Sequence, residues 1–426
     1  MRTMLLMMAG MIPVACLLAG CSGSRLASGE IEATVGGEVA PGFEEVRTEF
    51  VRNFTERHEL GAACAVYYRG RMVVDLWGGY RDYDAAKPWE AGTMIPVFST
   101  TKGMAAMTLA VAHSRGWLDY DEKVAHYWPD FAQNGKENIT VRQLLGHQAG
   151  LVAFDDELPV TMVADLDSTA RFLARQKPEW EPGTRQGYHS STLGLYMNAL
   201  LSHVDPKHRS LGTFFQEEIA RPLGIRFYIG LPAAVPDSCV AHVEVASPAG
   251  GIMNISKAPL PMIVRLIWPW SYLTKSFSVP AGFDPNEPAF RHIELPSGNG
   301  IGEARAIARA YGVFATGGAE LGLRAETLRE LTAPATVADD AVLGLPSCYM
   351  LGFSRPGPDT LFGSSPRAFG TPGAGGSFGY ADPDMGIGYA YVMTRMDYYP
   401  TNDPRDLALR TAMERCVRRI EAQAGR

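Results

Sequence analysis

Ser99 and Lys102 form the only Ser-x-x-Lys motif in the sequence, at the point where an apolar stretch passes into a helical pattern. A helix that begins at or just before Ser99 places both side chains on one face, because three residues are nearly one turn. A serine hydroxyl becomes a nucleophile when a neighbouring base takes its proton, and a lysine that loses its hydration on burial favours the neutral form that can be that base. The motif therefore predicts nucleophilic catalysis by Ser99 with Lys102 as its activating partner.

The same motif also fits an ordinary surface helix whose first turn is capped by Ser or Thr. In the catalytic interpretation, the N–H groups at the start of the helix face any anion that forms beside Ser99. The rest of the chain has to decide between the two interpretations.

The elements that must position this motif follow from the hydrophobic periodicity. Strand patterns occur near both ends of the chain, whereas helical patterns fill the middle. The predicted strands are 61–69, 71–79, 368–380 and 386–396, and the predicted helices include 42–58, 139–150, 214–223, 302–315 and 403–422. We expect an α/β fold of the α+β type, with an antiparallel sheet flanked by the N- and C-terminal helices and an all-helical lobe over about 99–315. A site would lie in the cleft between sheet and lobe.

The composition excludes several classes of function. The chain has 426 residues and a net charge of -7, and because no Lys/Arg-rich run occurs, nucleic acid is not an expected partner. None of the six cysteines belongs to a Cys-x-x-Cys pair, so a zinc or iron–sulfur site is not expected. We predict no metal and no other cofactor. The wide spacing of Cys64, Cys239, Cys348 and Cys416 favours small buried hydrophobes over disulfides, which an oxidising compartment would also permit.

The first twenty residues have the organisation of a secretory signal peptide, with an apolar run over 4–18 that is too short to span a membrane. The Leu-Ala-Gly-Cys sequence at 18–21 resembles the lipobox of bacterial lipoproteins, which implies a diacylated Cys21 and membrane anchoring. Ser22 then favours an outer-membrane lipoprotein that faces the periplasm; a secreted protein with a chance cysteine is the alternative. The predicted boundaries are 1–20 for the signal peptide, 21–41 for a tether and 42–424 for the hydrolase domain.

Five separated stretches together resemble the serine β-lactamase and penicillin-recognising superfamily, and more narrowly its esterase-like branch of family VIII carboxylesterases and lactamase-domain lipoproteins. They are 98–102, 144–151, 180–183, 187–189 and 373–379, in the order of the family. The resemblance implies a β-lactamase-like fold and a serine hydrolase.

Carried over residue by residue, the resemblance implies that Ser99 is the acylated nucleophile and Lys102 its activating partner. Tyr188 resembles the tyrosine that moves protons between nucleophile, water and leaving group. A phenol ionises near pH 10, so it needs a nearby ammonium to act as a base at neutral pH. The backbone N–H groups of Ser99 and Ala374 would form the oxyanion hole, with Gly375 as the alternative to Ala374.

The third motif departs from the pattern of the family. Where the family usually has Lys-Thr-Gly, or His in the first place, this chain has Thr371-Pro372-Gly373, so the cation that steers a substrate carboxylate is absent. The second motif likewise reads Tyr-His-Ser and not Tyr-x-Asn. Both departures favour neutral ester substrates, with Thr371, Gly373 and Gly375 expected at the substrate.

Three polar residues near these motifs are interpreted as structural. His147 is expected to brace a turn, His189 to point away from the site despite adjoining Tyr188, and Ser377 to belong to a strand turn. A Pro-rich insertion at about 237–290 contains the apolar run 259–273. This run either packs on the helical lobe or forms an apolar wall for the ester, in which case Trp268, Trp270 and Tyr272 would be the main contacts.

The leading interpretation is a lipid-anchored serine hydrolase that cleaves small-molecule esters through a Ser99 acyl-enzyme. A D-alanyl-D-alanine carboxypeptidase or β-lactamase on the same scaffold is one alternative, which the loss of the cation at Thr371 disfavours. A non-catalytic envelope binding protein is the other, which the intact Ser99, Lys102 and Tyr188 disfavour.

Overall fold

A computed structural model describes residues 35–277 and 284–424 of the protein. The predicted signal peptide and the lipidation site Cys21 lie outside the described residues. The tether was predicted to extend to residue 41, but Gly36–Val39 is folded as an edge strand that pairs with Arg71–Asp82. A Cβ atom at Gly37 would collide with the Asp75 carbonyl, so glycine is what lets this strand approach.

One nine-stranded sheet dominates the structure. From edge to edge its strands are Gly36–Val39, Arg71–Asp82, Gly61–Tyr68, Ile387–Met393, Phe378–Asp382, Phe369–Pro372, Phe353–Ser354 and Tyr349–Met350, and Lys87–Pro88 pairs separately with Arg71–Asp82. Every pair is antiparallel, as predicted. The N-terminal and C-terminal parts of the chain therefore meet at the centre of the sheet, where Gly61–Tyr68 pairs with Ile387–Met393.

The predicted hairpin is confirmed. Its turn consists of Arg69 and Gly70, which have φ angles of 50° and 79°, and this is the left-handed geometry that matches the twist of paired strands. The predicted strand over 368–380 is instead interrupted by a turn at Ala374–Gly376. Two smaller sheets are formed by Ile95–Pro96, Gly300–Gly302 and Phe227–Ile229, and by Ala338–Asp339 with Pro346–Ser347.

Helices cover both faces of the main sheet. Their bounds are Glu44–Glu56, Thr100–Ser114, Val124–Tyr127, Val141–Leu145, Val160–Val163, Leu166–Arg175, Leu193–Val204, Leu211–Phe215, Arg221–Leu223, Pro248–Met253, Leu260–Ile267, Tyr272–Ser276, Pro288–Arg291, Ala304–Ala315, Ala325–Thr332 and Pro404–Ala424. A π-helical turn at Gln216–Ala220 joins two of them into the continuous helix predicted over 214–223. The helix predicted over 139–150 ends early, at Leu145.

The strand Gly61–Tyr68 separates two hydrophobic cores. Its Ala63 and Ala65 face the larger core, which contains the helical lobe, whereas Ala62, Cys64 and Val66 face a smaller core. The smaller core is closed by the N- and C-terminal helices, which pack against each other. The helix Ala304–Ala315, which the sequence places at the end of the helical lobe, packs directly on the central strands.

Within the described ranges, no helix is long and apolar enough to cross a bilayer. Cys64, Cys348 and Cys416 are buried as free thiols, and Cys239 is a half-buried free thiol.

Candidate functional site

The short strand Ile95–Pro96 leads directly into the helix Thr100–Ser114, and Ser99 stands between them as the residue before the first turn. Phe98 has a φ of 48°, a left-handed conformation that non-glycine residues rarely adopt. The sharp turn at Phe98 leaves Ser99 half-buried, while every residue of the helix behind it is buried. The Ser99 side chain makes no capping hydrogen bond, so its hydroxyl is available for chemistry.

Ser99 and Lys102 meet as the spacing predicts. Lys102 Nζ lies 3.1 Å from Ser99 Oγ and donates to the Ser297 carbonyl at 2.8 Å. The Lys102 side chain is 1% exposed, and burial lowers the pKa of its ammonium to about 7. A large fraction of Lys102 is therefore neutral at neutral pH and can accept the Ser99 proton.

Tyr188 lies on the other side of this pair, with Lys102 Nζ 4.9 Å from the centroid of its ring. Burial raises the pKa of Tyr188 to about 12, an effect that the Ser99 hydroxyl opposes and the charge of Asp340 reinforces. The phenol therefore keeps its proton at neutral pH. This geometry favours Lys102 as the base and Tyr188 as the proton donor of the site.

Asp340 and Tyr349 hold Tyr188 in place, and sequence reasoning did not identify either of them. The buried Asp340 carboxylate accepts the backbone N–H groups of Tyr188 at 3.1 Å, of Val342 at 2.8 Å and of Leu343 at 2.7 Å. The Tyr349 ring stacks on the Tyr188 ring, with centroids 5.7 Å apart. Neither residue belongs to a local motif, so no pattern in the sequence could have revealed them.

The two histidines beside the site are structural, as the sequence predicts. His189 Nδ1 donates to the Gly187 carbonyl at 2.6 Å, and its Nε2 accepts from the Leu151 N–H at 3.0 Å. The backbone N–H of His189 donates to His147 Nδ1 at 2.9 Å. Burial lowers the pKa of His189 to about 4 and that of His147 well below its usual range, so both rings are neutral. Their hydrogen bonds support the backbone around Tyr188.

Ser377 ties the third motif to the nucleophile segment. Its hydroxyl donates to the Val97 carbonyl at 2.8 Å and lies 3.1 Å from Thr100 Oγ1. A Cβ atom at Gly373 would lie only 2.5 Å from the Val97 carbonyl oxygen, so glycine permits the close approach. The motif is thereby fixed beside Ser99.

The backbone groups expected to form the oxyanion hole line one cavity with the nucleophile. Ser99, Gly373, Ala374 and Gly375 all face this cavity. In the turns and loops of the described residues, the N–H groups of Ser99 and Ala374 donate no backbone hydrogen bond. The assignment of these two amides to an oxyanion hole stays a prediction.

A buried arginine anchors the same turn from behind. Arg405 Nη2 donates to the Gly375 carbonyl at 2.8 Å, and Arg405 Nη1 donates to Glu59 Oε2 at 2.7 Å. Asp403 binds the same guanidinium at 2.7 Å. The turn at the cavity is therefore connected to both the first hairpin and the last helix.

Thr371 does not lie at the cavity, contrary to the prediction of a substrate-binding role. Its side chain is 2% exposed and packs with Tyr311 against Gly103. A Cβ atom at Gly103 would collide with Tyr311 Oη and lie 2.7 Å from Thr371 Oγ1. Because side chains alternate along a strand, Thr371 points inward where Pro372 lines the cavity.

The cavity in front of Ser99 has a volume of about 250 Å³ and is mostly apolar. Sequence reasoning missed three segments that line it, which are parts of 343–349, 354–360 and 396–401. The insertion contributes Ala258, Met262 and Phe277.

Trp268 and Trp270 do not contribute to the cavity, and this part of the prediction is corrected. Their side chains are 60% and 73% exposed and lie outside it. Met262 of the helix Leu260–Ile267 faces the cavity, whereas Trp268 and Trp270, which follow the helix, lie in solvent.

A family model described as beta-lactamase matches residues 47–413, which is most of the chain. The protein belongs to the β-lactamase family. This confirms the resemblance inferred from the five motifs, and the antiparallel sheet with its helices confirms the predicted β-lactamase-like fold.

Relatives of this β-lactamase-family protein include esterases. It is 33% identical to the esterase/beta-lactamase LipL of Mycobacterium tuberculosis over 371 residues, which cover 84% of this chain and 83% of LipL. A solved family VIII carboxylesterase superposes with a TM-score of 0.77 at 36% identity, covering 90% of this chain and 99% of that one.

A penicillin-binding protein homologue from Caulobacter crescentus superposes with a TM-score of 0.78 at 34% identity, with the same coverage of 90% and 99%. The predicted class of enzyme, a serine hydrolase of the β-lactamase fold, is thus confirmed.

Proposed function

We propose that the protein hydrolyses neutral carboxylic esters through an acyl-enzyme on Ser99. The observation that carries the proposal is the 3.1 Å contact between Ser99 Oγ and a fully buried Lys102, at the end of an apolar cavity. A lysine with a pKa of about 7 is a base suited to neutral pH. The esterase relatives support the same reaction.

In the acylation step, neutral Lys102 takes the Ser99 proton while Oγ bonds to the ester carbonyl carbon. The carbonyl oxygen becomes an oxyanion that the amides of Ser99 and Ala374 receive. When this intermediate collapses, the ester C–O bond breaks and the alcohol leaves with the proton of Tyr188, which the Lys102 ammonium then replaces. Lys102 is neutral again, and Ser99 carries the acyl group.

Deacylation follows the same proton path. A water molecule attacks the acyl carbon as Lys102 takes its proton, and the bond from Ser99 Oγ to the acyl carbon then breaks. The proton returns to Ser99 Oγ and a carboxylic acid leaves. The three side chains are then back in their starting protonation states, which closes the cycle.

The cavity favours a neutral substrate. The family's cationic position is Thr371, which is buried behind the strand. Arg355 also lines the cavity, but its two Nη groups donate to the backbone carbonyls of Leu331 and Ala333. Because both Nη groups of Arg355 are already held by backbone carbonyls, the guanidinium contributes little to binding a substrate carboxylate.

A β-lactam is the second candidate substrate, because LipL is described as an esterase/beta-lactamase and one solved neighbour as a penicillin-binding protein homologue. The discriminating experiment is intact-mass spectrometry after a fluorophosphonate probe, with p-nitrophenyl esters and nitrocefin as substrates and Ser99→Ala as the control. We expect one probe adduct, absent in Ser99→Ala, and turnover of esters far above that of nitrocefin. A protein that hydrolyses nitrocefin at rates equal to its best ester would be a β-lactamase instead.

We also propose that the mature protein is an outer-membrane lipoprotein that faces the periplasm, anchored through Cys21. The support is the Leu-Ala-Gly-Cys-Ser sequence at 18–22. Cells fed an alkyne fatty acid should label the wild-type chain, and Cys21→Ser should abolish the label and remove the protein from washed outer membranes. Undiminished labelling of Cys21→Ser would refute the anchor.

A further inference from the structure

The segment 248–277 carries most of the large apolar side chains that are exposed among the described residues. Of fourteen large apolar side chains that are exposed in the described ranges, ten belong to this segment. They are Ile252, Met253, Ile255, Leu260, Val264, Leu266, Ile267, Trp268, Trp270 and Phe277. Water-soluble monomers rarely collect so many in one place, so this surface indicates a site of interaction.

The centre of this surface is the helix Leu260–Ile267. None of its residues is buried. Pro259 and Pro261 lie at its N-terminal end, and the exposed Trp268–Trp270 turn follows its C-terminal end. The two indole rings contact each other edge to face, with centroids 6.0 Å apart. Amphipathic indoles beside Leu and Ile are typical of side chains that settle at a lipid–water boundary.

The charge of the segment differs from that of the rest of the protein. It contains Lys257, Arg265 and Lys275 and no Asp or Glu, although the whole chain has a net charge of -7. Lys257 pairs with Asp397 and Lys275 with Glu179. Arg265 is half-buried: it donates to the Pro261 carbonyl and its guanidinium lies against Gly344, and no carboxylate of a described residue forms a salt bridge with it. A segment that carries basic and no acidic side chains beside its apolar face is complementary to an anionic bilayer surface.

We propose that residues 248–277 form a membrane-docking face that sets the mouth of the Ser99 cavity on an anionic lipid surface. The same segment supplies Ala258, Met262 and Phe277 to the cavity, so the docking face and the cavity are continuous. An ester dissolved in the bilayer would reach Ser99 along apolar side chains without crossing bulk water. The substrate class is therefore membrane-resident esters with long acyl chains, and this part rests on the proposed ester hydrolysis.

The length of the chain before the folded part is compatible with this arrangement. Positions 21 and 35 are 14 residues apart, and an extended chain of that length spans at most about 50 Å. A lipid on Cys21 would therefore hold Val35, where the described part of the chain begins, within about that distance of the membrane. A single apolar face binds reversibly, so the anchor and the face have separate roles.

The experiment uses the mature chain with Cys21→Ser, so that no acyl anchor contributes to binding. Its partition onto vesicles of phosphatidylethanolamine and phosphatidylglycerol is measured by sedimentation, with and without Trp268→Ala/Trp270→Ala. We expect the double substitution to lower the partition coefficient at least ~10-fold, because two large apolar contacts with the lipid are lost. Vesicles of pure phosphatidylcholine should bind the parent chain more weakly.

The control is Met72→Ala/Val337→Ala, which removes two exposed apolar side chains outside the segment. It should leave the partition unchanged. Hydrolysis is followed in parallel on dissolved p-nitrophenyl acetate and on p-nitrophenyl palmitate embedded in the vesicles. The tryptophan variant should lose about tenfold on the embedded ester and stay within about twofold on the dissolved one.

Equal vesicle binding by parent and tryptophan variant would overturn the docking face. So would a parent chain that dimerises through these tryptophans and ignores vesicles, since the face would then belong to a second copy. Vesicle binding without turnover of any ester would support the docking face and refute the proposed ester hydrolysis instead.

Discussion

The helix Thr100–Ser114, which follows the cavity residue Ser99, and the segment 248–277, which lines the same cavity, are built in opposite ways. Every residue of the helix is buried, and burial is what turns Lys102 into a base. The segment has ten exposed large apolar side chains, and three of its residues, Ala258, Met262 and the partly exposed Phe277, line the cavity. The comparison separates two tasks: the enclosed region sets reactivity, and the exposed region sets which substrates arrive.

Ser99→Ala is the strongest test of the enclosed region. We expect ester turnover to fall at least ~10⁴-fold, because removal of the nucleophile leaves only binding and oxyanion contacts. The circular dichroism spectrum and the melting temperature should hardly change, since the hydroxyl makes no capping bond. A folded Ser99→Ala protein with near-normal turnover would remove Ser99 from the mechanism.

Lys102→Ala and Tyr188→Phe should each lower the acylation rate by at least ~10²-fold, the scale for losing a positioned base or acid. Because both act on one proton path, the double variant should be little worse than the poorer single one. Pre-steady-state release of p-nitrophenol measures these rates. Strictly multiplicative losses would mean that only one of the two side chains touches the chemistry.

The pH profile tests the reason for the burial of Lys102. The base must be neutral, and burial lowers its pKa to about 7. The value of kcat/KM should therefore be level above that pH and fall about tenfold per pH unit below it. A profile that stays flat down to pH 5 would show that a group other than Lys102 accepts the proton.

Burial of Lys102 should also reduce the stability of the fold. The pKa of its ammonium is about 7 in the folded state against an ordinary value of 10.5, so the penalty is complete below pH 7 and disappears as pH rises toward 10.5. Lys102→Met should stabilise the fold by roughly 1–3 kcal/mol at pH 7, after allowance for the lost bond to Ser297.

Urea unfolding of Lys102→Met and the wild type at pH 7 and pH 9 measures this gain, which should shrink at the higher pH. A gain that is the same at both pH values would assign the effect to packing and not to the buried charge.

The smallest effect is expected in the exposed region. Met262→Ala should cut kcat/KM for p-nitrophenyl hexanoate about threefold to tenfold and leave the acetate within about twofold, because each buried methylene contributes roughly 0.8 kcal/mol. Trp268→Ala is the matched control for soluble esters, since its ring lies outside the cavity. An equal effect of both substitutions would mean that the segment acts through packing alone.

The same comparison shows which features a sequence encodes locally. The Ser99–Lys102 pair, the hairpin at Arg69 and the antiparallel sheet were predictable, because spacing and turn residues specify them within a few positions. Asp340 and Tyr349 were not, because they reach Tyr188 only through the fold.

Two errors have physical reasons. Thr371 was assigned to the wrong side of its strand, where a shift of one residue exchanges the buried face for the cavity face. Trp268 was expected at the cavity, but it is exposed. The apolar composition of a segment does not reveal whether its side chains contact protein, water or lipid.

The bond between Arg405 and Gly375 has a consequence for how the enzyme is made. The Arg405 guanidinium joins the cavity turn to Glu59, a partner 346 positions earlier in the chain. Contacts so distant in sequence form late in folding, because a long loop must close first. A chain whose final helix has not yet folded therefore has its nucleophile but no completed cavity, so hydrolysis begins only after the C-terminal part has taken its place.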